Sequence, residues 1–443
     1  MPHQVAVCQA MVSGLRGMLV QHTMGSGKTL TALSAALAMV ARRIVKFVVV
    51  LVPTTLKAYW LSQAVRVGFP EGTLAVESHR RWLDHFAAGR QLLHAESLLV
   101  VDEVHNMRGD ITDAKAAAGR CMAANFVSAC SAASKVMLLS GTAVVNGLQD
   151  LRNITAALDG RGWRSGNASY PARGGDGRAP LHALQGRMSY YEPDAATAAG
   201  LLRMPEMREV HHAFVMDDQY AAWYAKVEEE QLVSAPGKDP TVFLNGVRRA
   251  VNASNDEVHS PKLAWLQAEA ATWAARGEKM AIYSAWVEYG ARRVTSVLET
   301  AGVSYAVVDG TQTSDSRHKI IQRFNKGGIQ ALVFTAAGSE GMDLVGTRHL
   351  VVLEPHWHMA RVDQAVARAR RVGSHDHLPV EDRNVTVHHL VLQRRERSAG
   401  DVETMDIKEL SADEYLFMLS RKKQSVCRHV IVPFMKTASI GAF

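Results

Sequence analysis

The sequence predicts an α/β protein in which two parallel-sheet blocks follow one another, joined by a helical insert and closed by a C-terminal helical extension. Short aliphatic or β-branched runs alternate with helical stretches through residues 1–155, the pattern of strands with crossover helices. The same alternation returns after residue 259. At 443 residues the chain also exceeds what a single core organises. The expected boundaries are 1–205 for the first block, 206–258 for the insert, 259–400 for the second block and 401–443 for the extension.

In the first block the strand candidates are Gly17–Gln21, Phe47–Val52, Leu98–Val101 and Val136–Leu139, each a short apolar run near turn residues. Residues 160–180 are dense in Gly, Arg, Pro and Ser and read as an irregular loop. The insert opens with a helical stretch, MDDQYAAWYAKVEEEQLV, broken by SAPGKDP. In the second block the strands are KMAIYSA, VSYAVVDG, IQALVFTA and RHLVVLEP. Its helices are SPKLAWLQAEAATWAARG, VEYGARRVTSVLETAG, SRHKIIQRFNKGG and MARVDQAVARARRVG. DIKELSADEYLFMLSRKKQ is the C-terminal helix.

Two strings carry the chemistry. HTMGSGKT at 22–29 follows the first strand and opens an Ala- and Leu-rich helix free of Gly and Pro. Backbone N–H groups of such a turn, with the helix N-terminus, form a nest for polyphosphate. Gly25 and Gly27 supply the special backbone positions, with Ser26 between them, although His22 stands where a glycine is usual. Lys28 can reach the β/γ-phosphates and the Thr29 hydroxyl can ligate Mg²⁺. LLVVDEVH at 98–105 is an apolar strand bringing Asp102 and Glu103 to its carboxyl end, where ligands sit in open α/β sheets. One carboxylate, Asp102, holds the magnesium; the other, Glu103, orients and deprotonates water. The expected reaction is hydrolysis of a nucleoside triphosphate, ATP above all.

Gln364, Arg368 and Arg371 recur at spacings of four and three, which on a helix places them on one face. Such a row is ordinarily a solvated or salt-bridged face, and Arg370 belongs with it. Across a cleft from a phosphate loop, Arg368 and Arg371 can instead supply guanidinium groups to the γ-phosphate. Hydrolysis then depends on closure of the two blocks.

Composition is that of an ordinary soluble globular protein, 47% hydrophobic and 21% charged. A net charge of +7 permits a polyanionic partner without demanding one. The scattered Cys8, Cys121, Cys130 and Cys427 form no C-x-x-C pair, which points to a reducing compartment and no structural zinc. His211–His212, His356 and His358, His375 and His377, and His388–His389 lack partners at ligand spacing. Trp60, Trp82, Trp223 and Trp265 sit at helical positions and read as core. No signal peptide and no membrane-spanning run is present, so a soluble intracellular protein is expected.

With these residues in hand, the chain resembles superfamily 2 helicases, and within them the Swi/Snf-type duplex-DNA translocases and the transcription NTPases of large DNA viruses. The resemblance covers nearly the whole chain and implies two RecA-like domains. Pro2-His3-Gln4 is similar to the glutamine motif, with Gln4 reading the adenine edge. HTMGSGKT is similar to motif I, and VVVLVPTTLKAYW, with Pro53, Thr54 and Trp60, to motif Ia. DEVH resembles motif II; LLSGTAVVN, with Ser140, Gly141, Thr142 and Asn146, resembles the coupling motif III. AIYSAW resembles motif IV, and the stretch after it contributes Asp309, Gly310, Thr311, Arg317, Phe324 and Asn325. FTAAGSEGMDL is similar to motif V, which puts Gly341 and Asp343 near the nucleotide and Gly338 near nucleic acid. QAVARARRVG is similar to motif VI, which implies arginine fingers at Arg368 and Arg371 beside Gln364.

The chain departs from the pattern at Ala143, where proline commonly follows Gly-Thr, and at Arg370, where histidine is frequent. It begins at the glutamine motif, so an upstream targeting domain is not expected. The resemblance implies an ATP- and Mg²⁺-dependent motor on DNA, serving RNA polymerase or another transcription or replication complex. If viral, it would work in host cytoplasm, nucleus or virion. The alternatives are a DEAH-type RNA helicase, because DEVH is similar to that signature, and a nucleotide-gated structural subunit of a transcription complex.

Overall fold

The computed structural model describes residues 1–443 apart from 92, 110–120, 145–147, 161–178, 201–202, 235–245, 254–259, 337–341, 358, 397–408 and 441–443. Most of the Gly- and Arg-rich loop expected at 160–180 therefore lies outside the described residues. The chain divides into two compact units, Met1–Pro193 with Lys423–Phe443, and Asp194–Lys422.

Unit 1 holds β1 (Gly17–His22), β2 (Phe47–Val52), β3 (Leu74–Ser78), β4 (Ser97–Val101), β5 (Lys135–Ser140) and β6 (Met188–Tyr191). They form one parallel sheet in the order β3-β2-β4-β5-β1-β6. Alternate residues feed two apolar layers. Met18, Val20, Val48, Val50, Val100 and Leu139 pack beneath helices Pro2–Val12, Lys28–Ala41 and Lys57–Arg66. Leu19, Leu51, Leu99, Val101, Val136 and Leu138 pack on the other face with Trp82, Phe126, Ile154 and Met435. A strand buried on both faces reads as a continuous apolar run, which is why these four strands were legible as such. The C-terminal segment belongs to this unit. Helix Val432–Ala438 buries Met435, and beyond it Ser439 bridges in parallel to Met188 of β6.

Unit 2 holds β7 (Glu206–Val215), β8 (Lys279–Tyr283), β9 (Tyr305–Val308), β10 (Ala331–Phe334), β11 (Thr347–Val352) and β12 (Asn384–Gln393). Its parallel sheet has the order β7-β12-β11-β8-β10-β9. Met280, Ile282, Val333 and Val351 meet Leu266, Trp273 and Leu298 on one face. Ala281, Tyr283, Phe334 and Leu350 meet Phe324 and Val362 on the other. The stretch expected as a purely helical insert opens instead with β7, ten residues registered along β12 from Glu206↔Asn384 to Val215↔Gln393. It is an edge strand with an exposed, charged sequence, EMREVHHAFV, so it carries no apolar run to reveal it. The expected C-terminal extension is likewise shared, since helix Ala412–Val426 starts in unit 2 and the residues from Lys423 onward count with unit 1.

A charged network lies inside unit 2. Lys262 and Asp413 are 0% and 1% exposed and pair at 2.5 Å. Lys262 Nζ also donates to Asn252 Oδ1 (3.2 Å) and Leu353 O (2.9 Å). Asn252 Nδ2 donates to Glu354 Oε2 at 2.7 Å, and Glu354 accepts from Ser284 Oγ and the Ala285 amide. Removing one member of such a pair strands the other charge in a dry interior. Lys262→Ala should therefore destabilise unit 2 by about 3–5 kcal/mol, measured as a shifted urea midpoint at unchanged slope. A shift under about 1 kcal/mol would show that water reaches Asp413.

Candidate active site

In unit 1, β1 delivers His22 to the turn Thr23–Gly27, and Gly25 and Gly27 adopt φ of 81° and 84°. These left-handed values are open to glycine and costly for other residues. Gly27 caps helix Lys28–Ala41, and the Thr31 amide donates to Gly27 O at 2.9 Å. Ser26 Oγ closes the turn on Thr23 O at 2.6 Å. Lys28 folds back over it, its ammonium donating to His22 O (2.8 Å) and Thr23 O (3.2 Å). Thr29 is half-buried in the first helical turn. Gln4 abuts this loop: its Nε2 lies 3.4 Å from Ser26 O and 2.7 Å from where a Gly27 Cβ would stand.

His22, in the place of the usual glycine, turns its buried ring to Ser189 Oγ of β6 at 2.8 Å. Burial holds it neutral, its pKa pushed down to about 3. His3 stacks on Tyr191 at 3.6 Å between centroids, and the Thr23 amide donates to Tyr191 O. β6 thus braces the loop from behind.

Asp102 follows β4 at the carboxyl edge, its amide donating to Leu51 O of β2. Its Oδ2 accepts from Trp60 Nε1 at 3.0 Å and its Oδ1 from the Glu103 amide at 2.9 Å. Burial, helped by the Glu103 charge, pushes Asp102 up to about 7, with Lys28 and the Trp60 bond opposing. Glu103 itself sits at φ 49°, a strained conformation of the kind that gathers at functional sites. His105 Nδ1 lies 3.3 Å from Glu103 Oε2 and 3.1 Å from Ser140 Oγ, and Ser140 Oγ accepts from the Thr142 amide at 3.0 Å. A Cβ on Gly141 would stand 3.7 Å from Lys28 Nζ. Lys28, Asp102, Glu103, Ser140, Gly141 and Thr142 therefore form one cluster. Pro53 and Thr54 lie just past β2, Thr54 opening a short 3₁₀ turn. Asn146 lies outside the described residues.

Trp60, expected as plain core, is also the donor to Asp102. The sequence signal was its place in the PTTLKAYW stretch, where a short 3₁₀ turn leads from β2 into helix Lys57–Arg66. His79, which holds Asp102 O at 2.8 Å, carried no signal of its own.

In unit 2, Asp309 accepts from the Thr311 amide (2.8 Å) and hydroxyl (2.6 Å), which hold it below the usual carboxylate range, with Gly310 between them. Gly338 and Gly341 lie outside the described residues. Gln364 and Arg368 are half-buried on helix Met359–Ala369. The expected helical face does not extend to Arg371. The helix ends at Ala369, and Arg371 lies beyond it, its amide 3.3 Å from Ser374 Oγ and its guanidinium paired with Asp343. Arg370 is not a solvated member of a stripe either: it is half-buried, with Nε donating to Pro205 O at 3.2 Å. Two arginines the sequence reading passed over flank motif IV. Arg248 lies 5.2 Å from the Trp286 ring and 5.5 Å from Trp357; Arg249 lies 5.0 Å from Trp286 and 5.7 Å from Tyr289. Beside them a cavity of about 330 Å³ is lined by Glu288, Tyr289, Arg292, Arg293 and Ser296, with Arg292 paired to Glu288 at 2.8 Å. The Arg-Arg pair was visible in the sequence; its aromatic partners lie far along the chain.

Residues 261–373 match the helicase conserved C-terminal domain. Over 93% of this chain and 91% of its own length, the "Putative ATP-dependent RNA helicase L538" of Acanthamoeba polyphaga mimivirus is 23% identical. These matches support a superfamily 2 helicase. The chain is also 37% identical to the "Termination factor NPH-I homolog" of African swine fever virus, over 20% of the chain and 14% of that protein. The helicase domain of Pyrococcus furiosus Hef superposes with a TM-score of 0.52 at 14% identity, covering 95% of this chain and 97% of that one, a likeness of fold. As a helicase-type enzyme the chain is an ATP hydrolase, and among its described residues no helix is long and apolar enough to cross a membrane.

The loop geometry gives a direct test. Gly27→Ala would place a methyl at φ 84° and against Gln4 Nε2, at a cost of about 1–2 kcal/mol. A roughly tenfold loss of ATP affinity is expected, read by titrating a fluorescent ATP analogue into folded protein. Unchanged affinity would place the phosphates elsewhere.

Proposed function

We propose that this helicase couples ATP hydrolysis to movement along DNA, duplex DNA foremost, without obligatory strand separation. The observation that carries the reading is the cluster at the carboxyl edge of the unit 1 sheet: Lys28 folded over the Gly25–Gly27 turn, with Asp102 and Glu103 beside it. On this reading the turn amides and Lys28 take the β- and γ-phosphates, and Gln4 meets the adenine. Thr29 and Asp102 suit Mg²⁺: Asp102 keeps acceptor capacity on both oxygens beyond its bonds to Trp60 and Glu103. When bound, the ion supplies charge neutralisation at the phosphates. Glu103 orients water and takes its proton, and His105 with Ser140 and Thr142 carries the state of that carboxylate toward the nucleic-acid side. From unit 2, Arg368 and Arg371 supply guanidinium groups to the γ-phosphate, with Asp343 and Gln364 in support. Pro53, Thr54 and the Asp309–Thr311 turn meet the nucleic-acid backbone. Arg249, exposed beside Trp286 and Tyr289, suits a polyanion with aromatic bases, with the buried Arg248 packed on the same Trp286 ring.

The name of the African swine fever relative supports a place beside a transcribing polymerase. That of the mimivirus relative supports RNA as the second reading. Hydrolysis rates at fixed salt with duplex DNA, single-stranded DNA and RNA decide between them: duplex DNA should stimulate most, and stimulation by RNA alone would reverse the assignment.

Glu103→Gln keeps the shape and loses the base, so ATP should still bind while turnover falls about 10²–10⁴-fold. A folded variant unable to bind ATP would give Glu103 another role. Arg371→Ala should retain ATP and DNA binding and lose about 10³–10⁵ in DNA-stimulated turnover. Wild-type stimulated turnover in that variant would remove Arg371 from the reaction.

A further inference from the structure

The segment from Asp343 to Gly346 in unit 2 is fastened by side chains and backbone from four other places. Asn325, the last residue of helix Ser314–Asn325, donates from Nδ2 to Asp343 O at 2.9 Å and accepts from the Val345 amide at 3.0 Å. Lys279, which opens β8, donates to Val345 O at 2.5 Å and to Phe324 O and Asn325 O at 3.3 Å each. Its ammonium lies 4.9 Å over the Phe324 ring. The Leu344 amide donates to Arg368 O at 2.9 Å, and the Gly346 amide to Ser374 O at 2.9 Å. Asp343 itself carries Arg371 as an ion pair.

A pair between side chains 56% and 29% exposed contributes little by itself. Its geometry is set by what holds the carboxylate. Asn325 grips the peptides on both sides of Leu344, so the Asp343 Cα cannot shift without breaking one of its two bonds. Lys279 ties that same arch to the end of the helix bearing Asn325. Burial lowers the Lys279 pKa to about 8, in keeping with an ammonium whose water has been replaced by three carbonyls.

We infer that Asn325 and Lys279 are positioning residues for Arg371, acting through Asp343. They fix the arch, the arch fixes the carboxylate, and the carboxylate fixes where the guanidinium waits for a γ-phosphate. This rests on the proposed role of Arg371 and extends it to two residues whose hydrogen bonds go to the arch and to the end of helix Ser314–Asn325.

The test is a double-mutant cycle in the full chain, reading DNA-stimulated kcat and KM for ATP in wild type, Asn325→Ala, Arg371→Ala and the double variant. A misplacement of about 1 Å costs on the order of 100-fold. Asn325→Ala should lower kcat by about that factor, leave KM within about twofold, and cost nothing further once Arg371 is alanine. An equal loss in both backgrounds would mark an ordinary structural role and overturn the inference alone. Wild-type turnover in Asn325→Ala would overturn it too. Wild-type turnover in Arg371→Ala, seen without touching Asn325, would overturn the arginine reading and this inference with it. Should Asn325→Ala fail to fold, Lys279→Met runs the same cycle with the same criteria.

Discussion

The burial of one carboxylate governs the unit 1 site. Asp102 ends a strand buried on both faces, so its charge is withdrawn from water by the same packing that makes the sheet stable. Desolvation favours the protonated acid, and the neighbouring Glu103 adds to it. What keeps the group available as an anion is a short set of fixed partners: the Trp60 indole, the Glu103 amide and the nearby Lys28 charge. Trp60 comes from the helix after β2, Lys28 from the helix after β1 and the Glu103 amide from the end of β4, so the parallel order of the sheet is what lets them meet. A divalent ion is the natural complement to such a carboxylate, because it removes the penalty that packing imposes.

Unit 2 solves a different problem. Arg368 and Arg371 are half-buried, and a long flexible cation is the hardest side chain to hold in one place. The structure ends the helix at Ala369 and seats Arg371 on a carboxylate whose own backbone is hydrogen-bonded at successive peptides. Rigidity resides in the polypeptide near Asp343, and the half-buried guanidinium inherits it.

How much of this was legible in the chain follows from burial. β1, β2, β4 and β5 are apolar on both faces and were readable to within a residue or two. β3, β6, β7 and β12 were not, β12 because Asn384, Thr386 and the His388–His389 pair break its apolar run. β3 and β6 are five and four residues long and interrupted by polar groups, and β7 is an exposed edge. β12 holds the His388–His389 pair, which drew attention as a candidate ligand set. In the fold His388 Nδ1 lies 3.1 Å from His212 Nε2 and its Nε2 lies 3.2 Å from His349 Nδ1, a row across three strands. The phosphate loop and the DE pair were legible because local geometry dictates their residue types. His79, Lys279 and Arg248 were not, since each acts on a group far away in sequence and belongs to a type that ordinarily means core or surface.

The route of the chain has a consequence for how the protein is made. Residues 423–443 count with unit 1, and Met435, Ala438 and Ser439 complete one of its apolar layers and touch β6. A ribosome therefore releases nearly all of unit 1 first, then the whole of unit 2, and only at the end the piece that finishes unit 1. During synthesis the apolar groove destined for Met435 stays open while some 230 residues of another unit emerge, a long-range closure of the kind that folds slowly and exposes the nascent chain to aggregation. Unit 2, whose segments are contiguous in sequence, can reach its native state before unit 1 does, reversing the N-to-C order that domain-by-domain folding usually follows.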